Sequence, residues 1–144
     1  MEPVLHQAGC VAIGNRAVLI EGPPGSGKSS LALALIDRGA MLVGDDGVTL
    51  TPGSGGQLLA GPPPNTAGLI EIRNLGIARM ATASAPVALV LQLAPDAPRF
   101  VEAAEQTVRA GTALPLIRLW PDSPLLALRA EWALELYGLK PVPD

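Results

Sequence analysis

A chain of 144 residues is the length of one domain and long enough to bury a core. Hydrophobic residues at 49% and charged residues at 16% exclude disorder as the default state, and with only 3% aromatics the core has to be aliphatic. A net charge of −3, with eight arginines scattered rather than aligned in a basic stripe, argues against a nucleic-acid surface, and a single cysteine excludes both an internal disulfide and a Cys/His zinc cluster.

That cysteine, Cys10, lies in the apolar stretch Cys10-Val11-Ala12-Ile13 and reads as a small buried side chain. The opening residues do not resemble a signal segment. The longest apolar runs fall well short of the ~20 residues of a membrane span, so the expectation is a soluble, cytoplasmic protein without a membrane partner.

In chain order, residues 9–13 and 17–21 are predicted as two short strands joined by Gly14-Asn15-Arg16, a tight-turn composition. The second strand runs into Gly22-Pro23-Pro24-Gly25-Ser26-Gly27-Lys28-Ser29, which fits G-x-x-x-x-G-K-[ST] and has the strand in front and the helix behind that this motif requires. Glycines let backbone N–H groups curl around phosphate oxygens, and the helix that follows turns its positive end toward the same anion. Lys28 would reach the β- and γ-phosphates, and the Ser29 hydroxyl would ligate Mg²⁺. A glycine-rich turn with an exposed lysine is the bland alternative, and the flanking strand and helix speak against it.

Residues 28–38 form the predicted helix, with Leu31, Leu35 and Ile36 on one face and Gly39 as the stop. Ala40 to Val43 reads as a buried strand ending at Gly44-Asp45-Asp46 and continued by Val48-Thr49-Leu50. Residues 52–68 hold five glycines and four prolines. They are predicted to be a mobile loop near the nucleotide, without helix or central strand. Residues 68–77 read as a strand leading into a turn, Pro86 to Leu93 as a strand, residues 98–109 as a helix, Leu114 to Leu119 as a strand, and Leu125 to Leu139, after Pro124, as a helix. There is no internal repeat.

The acidic pair Asp45-Asp46 ends the strand immediately after the phosphate loop's helix, where a carboxylate can face a ligand crevice in an α/β sheet. On an extended backbone neighbouring side chains alternate, so one aspartate could serve the Mg²⁺ shell while the other faces an incoming nucleophile; Asp45 is counted with Ser29 as a candidate metal ligand. A solvated Asp-Asp-Gly turn is the competing reading. Glu71 alternates with Ile70 and Ile72, and Arg73 shares its face. The pattern leaves open whether that face meets solvent or a triphosphate with its metal.

The phosphate loop, the segment Leu42-Val43-Gly44-Asp45-Asp46-Gly47-Val48, and above all Gly68 to Ile77 resemble the catalytic domain of bacterial HPr kinase/phosphorylase in its compact form, without the extra N-terminal domain. The resemblance implies a single α/β domain over 1–144 of the phosphate-loop type shared with phosphoenolpyruvate carboxykinase, with a mixed sheet and flanking helices. It implies ATP and Mg²⁺, transfer to a serine of HPr or a related phosphocarrier of the sugar phosphotransferase system, and a homo-oligomer, hexameric in the longer members. Asp46 would be the base that takes the serine proton. Ser29 and Glu71 would hold Mg²⁺, and Lys28 would neutralise charge on the transferring group. His6 resembles the family histidine ahead of the first core strand, though a lone histidine near a terminus is ordinarily a surface residue. Arg99 is the match for a catalytic arginine.

Three departures stand out. Ser30 replaces a glutamate, and Asn74 replaces the signature glycine. Pro124 to Arg129 keeps the proline and arginine of the phosphorylase motif but has Leu126 and Leu128 in place of lysine and glycine, so any phosphorylase activity is expected to be weak. A nucleotide-binding sensor that transfers nothing, and a small-molecule kinase, are the alternatives. Retention of Asp46 favours an enzyme.

Overall fold

The computed structural model describes residues 2–141. The elements are β1 (Val4–His6), β2 (Gly9–Ile13), β3 (Arg16–Glu21), α1 (Lys28–Asp37), β4 (Met41–Gly44), β5 (Val48–Pro52), β6 (Leu58–Gly61), β7 (Leu69–Ile72), β8 (Gly76–Arg79), β9 (Ala85–Leu93), β10 (Glu105–Arg109), β11 (Thr112–Leu119) and α2 (Leu126–Tyr137). The main sheet runs β1-β5-β6-β9-β3-β2-β4, with β11 and then β10 added beside β9, and β7-β8 form a separate hairpin. Strands β3 and β11 run parallel to β9, whereas β6 runs antiparallel to it. The sheet is therefore mixed, as expected.

Strand β9 is the hub, and its composition explains why. Val87, Ala88, Leu89, Val90, Leu91 and Leu93 are all buried, the near-continuous apolar run of a strand covered on both faces. In β3 the alternation splits cleanly between two cores. Val18 and Ile20 join α1 and α2 through Leu31, Leu35, Ala130 and Leu134. Ala17 and Leu19 face Val48, Leu50, Leu58 and Ala60 of β5 and β6. The register between β3 and β9 skips Ala88, since Ala17 pairs with Val87 and Val18 with Leu89. Ala88 and Leu89 consequently both turn to the helical side. Cys10 is fully buried in the second core, and burial pushes its thiol far above the ordinary cysteine range.

Four expectations need correcting. The segment 52–68 contains β6, paired to β5 on one side and to β9 on the other. Its glycines and prolines flank Leu58-Leu59-Ala60 rather than interrupt it, and the turn before it closes through Gly53 N–H to the Gln57 carbonyl at 2.8 Å. Second, residues 98–109 form no helix: 105–109 are β10, hairpinned to β11 from Glu105 opposite Leu116 to Arg109 opposite Thr112. A two-residue turn at Ala110-Gly111, with φ of 48° and 79°, sets that hairpin, and strand pairing overrides the helix-forming residues Val101 to Gln106. Third, β5 does not continue β4. In the sheet order β6, β9, β3 and β2 lie between them, and the chain passes from one to the other through the turn at Gly44 to Gly47. Gly44 is needed there, because a Cβ would collide with the Gly47 carbonyl oxygen. Fourth, Asp45 and Asp46 therefore sit in a turn and not on an extended backbone. Among the described residues no helix is long and apolar enough to cross a membrane.

Candidate active site

The loop from Gly22 to Gly27 joins the end of β3 to the start of α1, as the motif requires. Gly22 is close to Ser26: a Cβ on it would lie 2.7 Å from the Ser26 hydroxyl and 3.2 Å from Leu93 Cβ. Gly27 caps α1 in a left-handed conformation with φ 98°, and no side chain caps the helix. The first-turn N–H groups of α1 are thus left for a ligand, at the positive end of the helix. Lys28 folds back over the loop, its Nζ donating to the carbonyls of Gly22 at 2.7 Å and Pro23 at 3.2 Å.

On the far side of this cleft stand the acids. Ser29 Oγ donates to Asp45 Oδ1 at 2.6 Å, and the Glu71 backbone N–H donates to Asp45 Oδ2 at 2.9 Å. Asp45 therefore ties the first turn of α1 to strand β7, with both of its oxygens engaged. The next residue, Asp46, has φ 63°, a left-handed conformation that aspartate tolerates better than most residues. Pro24 to Ser30, Asp45, Asp46, Glu71 and Arg73 enclose a cleft of about 350 Å³. The β7–β8 turn that carries Arg73 has Asn74 at φ 76°. Asparagine is one of the few residues to adopt this conformation readily, so the loss of the signature glycine preserves the turn.

A second, larger trough of about 690 Å³ adjoins the first and shares Asp45, Asp46 and Glu71 with it. Its other walls include Leu5, His6, Pro63, Pro64, Leu69 and Ile77. His6 reaches it because β1 pairs antiparallel with β5, placing His6 opposite Val48, two residues beyond Asp46.

Most of the site residues expected from sequence thus converge: Gly22, Pro23, Pro24, Gly25, Ser26, Gly27, Lys28 and Ser29 in the loop, Asp45, Asp46 and Glu71 opposite, and His6 in the adjoining trough. Arg99 does not join them. It is exposed in the connection between β9 and β10 and lines neither cavity. That connection is held by Trp120, whose Nε1–H donates to the Ala97 carbonyl at 2.6 Å. Arg129 packs its guanidinium over the Trp120 ring, 5.6 Å from the centroid. Leu126 is buried in the helical core.

Sequence reading missed Glu21 and Arg109. Arg109 forms a fork on Glu21, with Nε donating to Oε2 at 3.0 Å and Nη2 to Oε1 at 2.7 Å, and His6 Nε2 lies 2.8 Å from the same Oε2. Burial alone would push the Glu21 carboxyl up, but hydrogen bonds from Arg109 and His6 outweigh it and hold the group below the ordinary glutamate range. One signal was present in the sequence, a lone carboxylate ending an otherwise apolar strand directly before the phosphate loop.

The residues fit a magnesium nucleotide. The Ser26 hydroxyl is buried with no hydrogen-bond partner among the described residues, an orphan that an anion in the loop would satisfy. No group of three or more His, Cys, Asp or Glu side chains among the described residues could cage a metal by itself. A hydroxyl and a carboxylate supplemented by phosphate oxygens and water match the way Mg²⁺ is held.

The profile of the HPr serine kinase C-terminal domain matches residues 2–84. HPr kinase/phosphorylase of Brevibacillus brevis is 46% identical over 65 residues, 45% of this chain and 21% of the relative. That of Clostridium beijerinckii is 43% identical over 72 residues, 50% of this chain and 24% of the relative. The matched stretch thus spans less than a quarter of these curated relatives. A solved structure, the Hpr(Ser) kinase/phosphatase from Coxiella burnetii, superposes with a TM-score of 0.79 at 28% identity, over 92% of this chain and 88% of that one. The loop, the acids facing it and these matches lead to one assignment: the chain belongs to the HPr serine kinase C-terminal domain family.

Proposed function

We propose that this chain, as one catalytic domain, transfers the γ-phosphoryl group of ATP to a serine hydroxyl of HPr or a related phosphocarrier. The observation that carries the reading is the pair of cavities meeting at Asp46, a cleft of about 350 Å³ walled by the phosphate loop on one side and a larger, partly apolar trough on the other. A base at that junction can accept the proton of a serine hydroxyl entering from the trough as the oxygen attacks a phosphoryl group held in the cleft. Phosphoryl transfer is mostly positioning and charge stabilisation, so few further groups are required.

Each side chain then has a task. The loop N–H groups and the first turn of α1 bind the phosphates. Lys28 exchanges its carbonyl partners for phosphate oxygens and follows the charge as it moves to the leaving group. Ser29 and Glu71 would hold Mg²⁺, with Asp45 orienting the Ser29 hydroxyl; when bound, the ion neutralises phosphate charge. In the reverse direction Asp46 returns the proton. A homo-oligomer, hexameric as in the longer members, accompanies this reading and is checked by light scattering.

The test is to incubate the protein with labelled ATP, Mg²⁺ and purified HPr-like carriers. Acid-stable phosphoserine on the carrier is the expected result. A rise in melting temperature with Mg²⁺-ATP but no transfer would instead identify a nucleotide-binding sensor. Transfer to a small molecule would identify a different kinase.

A further inference from the structure

We propose that Glu21, clamped by Arg109, is a positioning residue that fixes the His6 ring beside Asp46. The proposal rests on reading the two cavities as a phosphoryl-transfer site, and it assigns a role to an ion cluster that this reading leaves unused.

The cluster joins three elements remote in sequence. Glu21 ends β3 on the same face as Ala17 and Leu19, at the margin of the second core. A carboxylate there is costly to desolvate, and an apolar residue of similar size would extend the core instead. Arg109 reaches it from β10 across 88 residues of sequence, and His6 reaches it from β1. The Glu21 side chain keeps 13% exposure, Arg109 20% and His6 26%. Arg109 is itself held, its Nη1 donating to Thr107 Oγ1 at 2.5 Å and to the Val108 carbonyl at 2.9 Å. The fork therefore leaves the carboxylate little freedom to rotate.

An ionised carboxylate only accepts hydrogen bonds. The 2.8 Å contact consequently requires the proton on His6 Nε2, and Nδ1, with no hydrogen-bond partner among the described residues, is the other edge of a ring that lines the trough with Asp46. Glu21 also precedes Gly22 directly. The position of the ring is thereby referenced to the same strand end that carries the phosphate loop, so histidine, base and nucleotide share one rigid origin. Errors of about 1 Å in such placement can cost on the order of 10²-fold in rate.

His6 is the single histidine of the chain, so its ring nitrogens give unambiguous ¹⁵N NMR signals in the intact protein. The expected native spectrum is one ring form protonated at Nε2. In Glu21→Gln, whose amide can donate as well as accept, the ring signals should move toward an average of two tautomers. Phosphoryl transfer by this variant should fall by roughly 10²-fold with the KM for ATP unchanged. Arg109→Lys keeps the charge but loses the fork, and it should fall between the two; it also serves if Glu21→Gln fails to fold. Free tautomer exchange in the native protein, or unchanged ring signals in both variants, would overturn the proposal. Should the native protein transfer no phosphate to any carrier, the kinase reading fails while the ring spectra still decide the role of Glu21.

Discussion

Asp46 owes its position to a backbone conformation as much as to its carboxylate. At φ 63° it leaves the strand direction and stands where the two cavities meet. Asp46→Asn keeps the shape and removes the basicity. Mg²⁺-ATP should therefore bind as in the native protein while transfer to serine drops by ~10²–10⁴-fold, as measured by isothermal titration and single-turnover assays. Native-rate transfer would reassign the base. Asn74 makes the complementary point, since its φ of 76° is what the signature glycine would supply. Replacement by valine should cost about 1–2 kcal/mol in urea unfolding, whereas replacement by glycine should be tolerated. The phosphate loop was legible in the sequence because its eight residues are contiguous and their chemistry is local. The Glu21–Arg109 fork was not, because its partners lie 88 residues apart and only the fold brings them together.

At the scale of elements, the failures of sequence reading have a common cause. Strand β6 and strand β10 are both short, and each is stabilised by neighbours that composition does not reveal: β5 and β9 for the first, β11 for the second. Glycine and proline around Leu58, and helix-forming residues before Glu105, pointed the other way, and strand pairing prevailed. The two helices and the apolar strands β3 and β9 carried their own periodicity and were readable. Helix α2 supports a further expectation. With Leu126 in the core and Arg129 stacked on Trp120, this segment offers no lysine and lines neither cavity. Phosphate-dependent dephosphorylation of phosphoserine-HPr, followed by pyrophosphate release, should be much slower than the forward reaction; equal rates would refute this. At the end of β3, the depressed native pKa of Glu21 means that its ion cluster stabilises the fold above the unfolded-state value of ~4.3. That contribution is lost as pH falls through the native value. The stability gap between the native protein and Glu21→Gln should be widest near neutrality and close in acid, as urea titrations across pH would record. A gap independent of pH would mean that the charge of Glu21 does not stabilise the fold.

Across the whole molecule, two aliphatic cores share one sheet, and β9 belongs to both. The dependence on β9 also imposes an order in time. Every residue proposed for the phosphate cleft precedes Ala85, yet β3, from which the phosphate loop hangs, has its parallel partner only in residues 85–93. Pairing at such separation in sequence is intrinsically slow, because the loop between the strands must close before any contact rewards it. During synthesis the loop therefore emerges on a strand with one edge open. A fragment ending at residue 84, where the match to the family profile stops, should be unfolded by circular dichroism and show no melting shift with Mg²⁺-ATP; a folded, nucleotide-binding fragment would contradict this. On the ribosome the residues proposed for transfer are made first, and they reach their proposed arrangement only after β9 and the Arg109 of β10 have cleared the exit tunnel.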